Sequence, residues 1–171
     1  MVCTNTVPTL LSKERSCMSQ PKRALPPFLE GKVDHATYER WLQRKAAAHA
    51  KRDQKRFNDV KIGLNYRNGI HLAVLQSEGK DTYTGEDLDW TLLSKYDNTA
   101  SKEGQHAYKA KFALLPTVDH VESANREAVF CICSWRTNDA KHDLSVASFF
   151  RLCEIVLRHN GYIVSKVAKL T

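Results

Sequence analysis

Apolar and polar positions divide the chain into a helical first half and a second half that reads strand, loop, strand, helix. Asp34 is placed to cap a helix running from about His35 to Arg56, in a stretch rich in Ala, Lys, Arg and Gln. Its apolar positions, Tyr38, Trp41, Leu42 and Ala46, form only a narrow stripe. A shorter helix is expected over Asn68 to Ser77, with Ile70, Ala73 and Val74 facing inward. Gly79-Lys80-Asp81 breaks it, and Thr82 to Glu86 reads as a turn. The polar residues 94 to 108 are expected to form a surface loop. Phe112 to Val118 reads as an extended apolar run entering Asp119-His120. A polar loop, Glu122 to Glu127, then leads to a second strand over Ala128 to Cys133, rich in β-branched and aromatic residues. Thr137 is expected to cap a short helix carrying Asn138, Lys141 and His142. Ser145 caps the last helix, where Phe149, Leu152, Cys153, Val156 and Leu157 keep helical spacing and Gly161 marks the end.

Composition narrows the class. The 171 residues suffice for one well-cored domain, or a small core with an accessory element. Apolar residues at 42% and charged residues at 26% are ordinary for a soluble globular protein. No apolar run approaches the length of a bilayer span, so no membrane partner is expected. The N-terminus is too weakly apolar for a signal peptide, which makes a cytoplasmic location the expectation. Residues 1 to about 27 mix Ser, Thr, Pro and Lys without period and read as a flexible arm. The five cysteines are odd in number and hold no CxxC pair, against both a disulfide framework and a zinc knuckle. Cys131 and Cys133 fall on one face of a strand, as buried free thiols.

The net charge of +7 favours a polyanionic partner. Most of it lies on the first helix, where seven Lys and Arg residues face only Glu39 and Asp53. Arg40, Arg44, Lys51 and Lys55 run along one face, with Lys45, His49, Arg52 and Arg56 beside them. Such a helix can be a solvated surface, but it lacks the alternating signs of a salt-bridged face. Sequence-blind contact with DNA phosphates is the expected use.

The chemistry-bearing residues lie further on. Hydrolysis of a phosphodiester needs a base to deprotonate water and positive charge to stabilise the phosphorane and the leaving oxygen. Asp119 and His120 are neighbours at a strand end, so their side chains diverge: one can hold a metal while the other points across the scissile phosphate. Asn138 at a helix start is a carbonyl-oxygen donor, and Lys141 one turn later can neutralise phosphate charge. Trp135 and Arg136 stand close enough in sequence to touch substrate. Each has a plainer reading: Asp-His as a chance pair, Asn138 as a cap, Lys141 as a solvated charge, Trp135 as core. His35, His49, His71, His106 and His159 read as structural or exposed.

The order YTGE (Tyr83 to Glu86), VDHV (Val118 to Val121), an apolar strand, then N-D-x-K-x-D (Asn138 to Asp143) resembles the HNH, or ββα-metal, nucleases over about residues 80 to 160. The resemblance implies His120 as general base, Asp119 and Asn138 as ligands of a single Mg²⁺ or Mn²⁺, and His142 or Asp143 as a further ligand. Two departures stand out. The paired cysteines that hold a structural zinc in many relatives are absent, and the motif's middle Asn has no counterpart fixed by spacing, although Asn125 lies in the corresponding loop. The expectation is therefore an α+β protein: an arm (1–27), a basic helical element (28–79) and an HNH-like ββα-metal core (80–171), acting as a DNA endonuclease. The alternative is a DNA-binding module that keeps the fold without turnover.

Overall fold

The computed structural model describes residues 23–57, 63–121 and 129–166. The arm up to residue 22 and the Glu122 to Glu127 loop with Asn125 lie outside these, as does the first residue of the expected second strand, Ala128.

The described chain is a mixed α and β structure with five α-helices and one two-stranded antiparallel sheet. A short 3₁₀ turn, Pro27–Leu29, leads to α1, His35–Phe57, whose first turn is capped where the Asp34 carboxylate accepts the Thr37 N–H at 2.8 Å. The stripe of Tyr38, Trp41, Leu42 and Ala46 is buried as expected, and it continues through His49 and Asp53, so the buried line turns polar as it nears the sheet. The second helix, α2, spans Gly63–Ser77 and so begins a turn earlier than its apolar residues suggested. Tyr66, Ile70, Ala73 and Val74 form its inner face.

Gly79 leaves α2 with φ +87°, and a Cβ there would stand 3.1 Å from the Phe28 ring, which packs edge-on against Trp90. A side chain at this point would be both strained and crowded. The turn over 82–86 closes as expected, with Lys80 bridging Asp87 and Gly85 donating to the Asp81 carbonyl.

Residues 94 to 108 are not the expected loop: most of them belong to α3, Asn98–Ala110. The Asp97 carboxylate accepts the Ala100 N–H at 2.7 Å, and Tyr108 packs on Tyr96 and Phe112. An exposed helix with so few inward residues carries little apolar periodicity to read. It kinks at Gln105 (φ 45°), where a Cβ on Gly104 would meet that of Tyr108 at 2.7 Å.

The first strand is shorter than expected. Phe112 to Leu115 form a turn, Leu115 donating to the Phe112 carbonyl at 3.0 Å, and β1 covers only Pro116–His120. It pairs with β2, Phe130–Ser134, in a register that sets Asp119 opposite Cys131 and His120 opposite Phe130. The chain passes from β2 into α4, Trp135–Lys141, with no loop, because Ser134 rather than Thr137 is the cap. Ser134 Oγ accepts the Thr137 N–H at 3.1 Å, leaving Thr137 buried inside the first turn. The last helix, α5, Val146–His159, is capped by Ser145 and followed by Gly161 at φ +85°, as expected.

α1 packs on α2, α2 on β2, and α4 on both strands. One cluster of buried side chains runs from Leu29 through α1, α2, Trp90 and Leu93 to Val118, Phe130 and Ile132. Fully burying an Ile132-sized side chain contributes roughly 1.5–3 kcal/mol. Among the described residues α5 buries none of its own, and Phe150, Ile155 and Val156 are each 51% exposed. No helix among them is long and apolar enough to cross a membrane.

Candidate functional site

The pleat of β1 sends the Asp119 and His120 side chains to opposite faces of the sheet, as their adjacency required. Each meets a different set of partners.

His120 faces α1 and α2. Its Nε2 lies 3.2 Å from Oδ2 of Asp53, and the same oxygen accepts the Tyr66 hydroxyl at 2.7 Å. A carboxylate only accepts, so the ring nitrogen facing it carries the proton and Nδ1 of the neutral ring keeps the lone pair. Nδ1 has no hydrogen-bond partner among the described residues. The ring is held edgewise by Phe130 (centroids 5.0 Å apart) and His49 (4.8 Å), with 14% of the side chain exposed. Phe130 also packs on His49 and Tyr66 and locks the group together.

His49 is itself almost fully buried, and Arg52 Nη2 lies 2.9 Å from both its ring nitrogens. Burial, then the charges of Arg52, His120 and Lys45, push its pKa down to about 2, against a weaker opposing pull from the Val118 backbone. It is a neutral imidazole at any working pH. Lys45 donates to Thr117 Oγ1 at 2.9 Å; burial and the neighbouring Arg52 lower its pKa to about 8.

Asp119 faces α4 and the 82–86 turn. Its Oδ2 accepts from the Lys141 ammonium at 3.0 Å and from the Tyr83 hydroxyl at 2.8 Å. Burial and hydrogen bonding to Cys131 and Asp119 push the Tyr83 phenol far above its ordinary range, so it remains a donor. Only 2% of the Lys141 side chain is exposed. Cys131 and Cys133 are buried free thiols, as expected; burial raises Cys131 to about 11 and Cys133 further, which leaves them inert.

Asp81 ties this side of the site together. It accepts from the Ser134 N–H, the Thr137 hydroxyl and the Tyr83 N–H, each at 2.8 Å. Burial acts to raise its pKa, and these hydrogen bonds outweigh it, so the carboxyl stays below its usual range. The YTGE turn, β2 and α4 are thereby fastened at one buried carboxylate.

Asn138 opens onto a cleft between α1 and β1, lined also by Lys45, His49, Lys51, Arg52 and Lys55. Among the described residues no hydrogen bond joins its side chain to Asp119, whose carboxylate is taken by Tyr83 and Lys141. Three expected site residues are placed otherwise. His142 ends α4 at φ 52°, which turns its 80%-exposed ring out to Asp143 and away from Asp119. Arg136 is drawn to Glu86 across the turn rather than toward substrate. Lys141 neutralises Asp119 from inside the fold, since burial removes it from any phosphate. Trp135 packs edge-on against Tyr96. Arg40, Arg44, Lys51, Lys55 and Arg56 are exposed along α1, as expected, whereas Lys45 is only partly so.

Asp53, Tyr66, Tyr83 and Asp81 were absent from the sequence-derived site. Asp53 carried one faint signal: it continues the helical spacing of Leu42, Ala46 and His49 on an otherwise cationic helix. Among the described residues no three His, Cys, Asp or Glu side chains converge as a metal-binding group. Compared with known proteins, the chain matches no family model, no curated protein and no solved structure.

Proposed function

We propose that this chain is a metal-dependent endonuclease that hydrolyses DNA phosphodiester bonds on an HNH-like ββα-metal core, with β1, β2 and α4 as that core. The observation that carries the reading is the Asp53–His120 pair, which leaves Nδ1 of His120 as the acceptor nitrogen of a ring packed on His49, itself part of a cation-lined cleft. A general base needs its accepting nitrogen held in a fixed orientation, and Asp53, itself anchored by Tyr66, supplies that by engaging Nε2. His120 takes the proton of the attacking water at Nδ1, and the imidazolium that forms is stabilised by the Asp53 carboxylate.

Asp119 and Asn138 would be the protein ligands of a hard divalent cation, which their oxygen donors suit by type. Asp119 keeps Oδ1 outside the Lys141 and Tyr83 hydrogen bonds, and Asn138 adds an amide oxygen. One carboxylate and one amide oxygen suit Mg²⁺ or Mn²⁺, which retain several waters, better than zinc, which prefers nitrogen and sulfur. Bound there, the ion would supply positive charge for the phosphorane and the leaving oxygen.

One observation favours a second reading, a DNA-binding module without turnover: the Asp119 carboxylate already has a buried ammonium as counter-ion. Plasmid nicking in Mg²⁺ separates the two. The nuclease reading expects nicking that EDTA abolishes and that His120→Ala reduces by about 10²-fold or more. Equal cutting by the variant overturns the assignment of His120, and salt-sensitive binding with no nicking favours the second reading.

A further inference from the structure

The cleft beside His49 is one end of a longer feature. It adjoins a second concavity through Lys45 and Ala48, and that one adjoins a third through Arg44 and Ser94. Together they form a groove along one flank of α1, walled on the far side by the Ser94–Tyr96 segment and by Leu115 to Val118 of the strand and its approach. Its cations are Lys55, Lys51, Arg52, Lys45, Arg44 and Arg40, and among the described residues no acidic side chain lines any of the three stretches.

Among the described residues these charges are paired with no carboxylate at contact distance, although that of Asp34 at the helix cap feels Arg40. Arg40 donates to Thr37 Oγ1 and Arg44 to Ser94 Oγ, both neutral, and among the described residues none of the six forms an ion pair. The two carboxylates of α1, Glu39 and Asp53, are engaged elsewhere, Glu39 with Arg23 and Asp53 with His120. Midway the floor is Ala47 and Ala48, which lets a bulky polymer approach the helix closely.

We infer that this groove seats one phosphate backbone of a DNA duplex, leading along α1 from the cleft at His49, whose ring packs on His120, to Arg40. The inference rests on the nuclease reading only for the choice of DNA and for the direction of the path. Arg40 to Lys55 spans about 22 Å at 1.5 Å per residue, or about six base pairs of duplex at 3.4 Å each. Among the described residues the groove holds no stacking platform for unpaired bases: Trp41 is buried, and Tyr96 is packed by Tyr108, Phe112 and Trp135 with its hydroxyl on Ser101. That favours a duplex backbone over a single strand.

The test is fluorescence anisotropy with a labelled 20-base-pair duplex in EDTA, so that cleavage plays no part. Arg40→Glu/Arg44→Glu is compared with Lys102→Glu/Lys109→Glu, which changes net charge equally on the exposed face of α3 outside the groove. The groove pair should weaken binding by roughly tenfold or more and lower the salt slope by about 2, since each of the two cations would otherwise neutralise a phosphate. The α3 pair should leave the slope unchanged. An equal weakening by the two pairs overturns the inference, as does tighter binding of a 20-nucleotide single strand than of the duplex. Groove-dependent binding by a protein that never nicks would support the groove while the nuclease reading fails.

Discussion

Asp53, on the helix that carries most of the positive charge, holds the Nε2 proton of His120 at 3.2 Å across 67 residues of chain. The pairing gives the basic helix two unlike faces: one solvated and cationic, the other buried and ending in a carboxylate that sets the tautomer of a strand histidine.

If Asp53 positions His120, Asp53→Asn should lower kcat by roughly 10- to 100-fold with KM little changed, the usual scale for a partner that orients a reacting group. Tyr66→Phe should have a smaller effect in the same direction. A pH–rate profile supplies the second readout, because the imidazolium loses its counter-charge in Asp53→Asn and the acidic limb, where the general base must lose its proton, moves to lower pH. A variant with wild-type kcat and an unmoved profile would show that Asp53 only packs.

The buried His49 makes a pH dependence. Its ring is held near 2 in the folded chain and lies at 6.5 when unfolded, so between these values the unfolded state binds a proton that the folded state excludes. Stability therefore declines as pH falls below about 6.5, by up to ~1.4 kcal/mol per pH unit from this group. Urea unfolding of His49→Gln at pH 7 and pH 5 should show a shallower decline than the parent. The same slope in both proteins would count against the buried, neutral ring.

Lys141 and Asp119 form a pair that tolerates the loss of neither partner. Lys141→Met leaves a carboxylate uncompensated inside the fold and should cost about 3–5 kcal/mol. Adding Asp119→Asn removes that charge while keeping an acceptor for Tyr83, and should restore a large part of the stability. Denaturant midpoints of the two single variants and the double variant read this directly. A decrease under ~1 kcal/mol in Lys141→Met would mean the pair is effectively solvated.

Lys45 should behave in the opposite sense to a stabilising ion pair. Burial, then Arg52, lower its pKa from 10.5 to about 8, so the folded state disfavours its charge. Through the window from 8 to 10.5 the unfolded state binds the extra proton, and stability rises with pH. Lys45→Met should therefore be at least as stable as the parent at pH 7, with its advantage shrinking toward pH 10.5. A variant clearly less stable at pH 7 would contradict this account.

Local chemistry made much of the fold legible. Asp34 and Ser145 cap α1 and α5 because a side-chain oxygen three residues before an N–H satisfies it whatever the rest of the chain does. The run at β2 and the spacing of Tyr38, Trp41, Leu42 and Ala46 were readable for the same reason: periodicity is a property of neighbours. α3 escaped notice because an exposed polar helix has no apolar period, and Ser134 was overlooked as a cap because it is also the last residue of a strand.

For the candidate site, the sequence by itself determined that Asp119 and His120 part company at a strand end, that Asn138 and Lys141 share a short helix, and that one helix bears the charge. Only the tertiary structure decided the partners. It put Asp53 and Tyr66 behind His120, buried Lys141 against Asp119, turned His142 outward and laid the cations of α1 beside the strand as a groove. These pairings join residues tens of positions apart. Hydrogen bonds and ion pairs gain their strength from burial, and burial is a property of the packed chain rather than of any window along it.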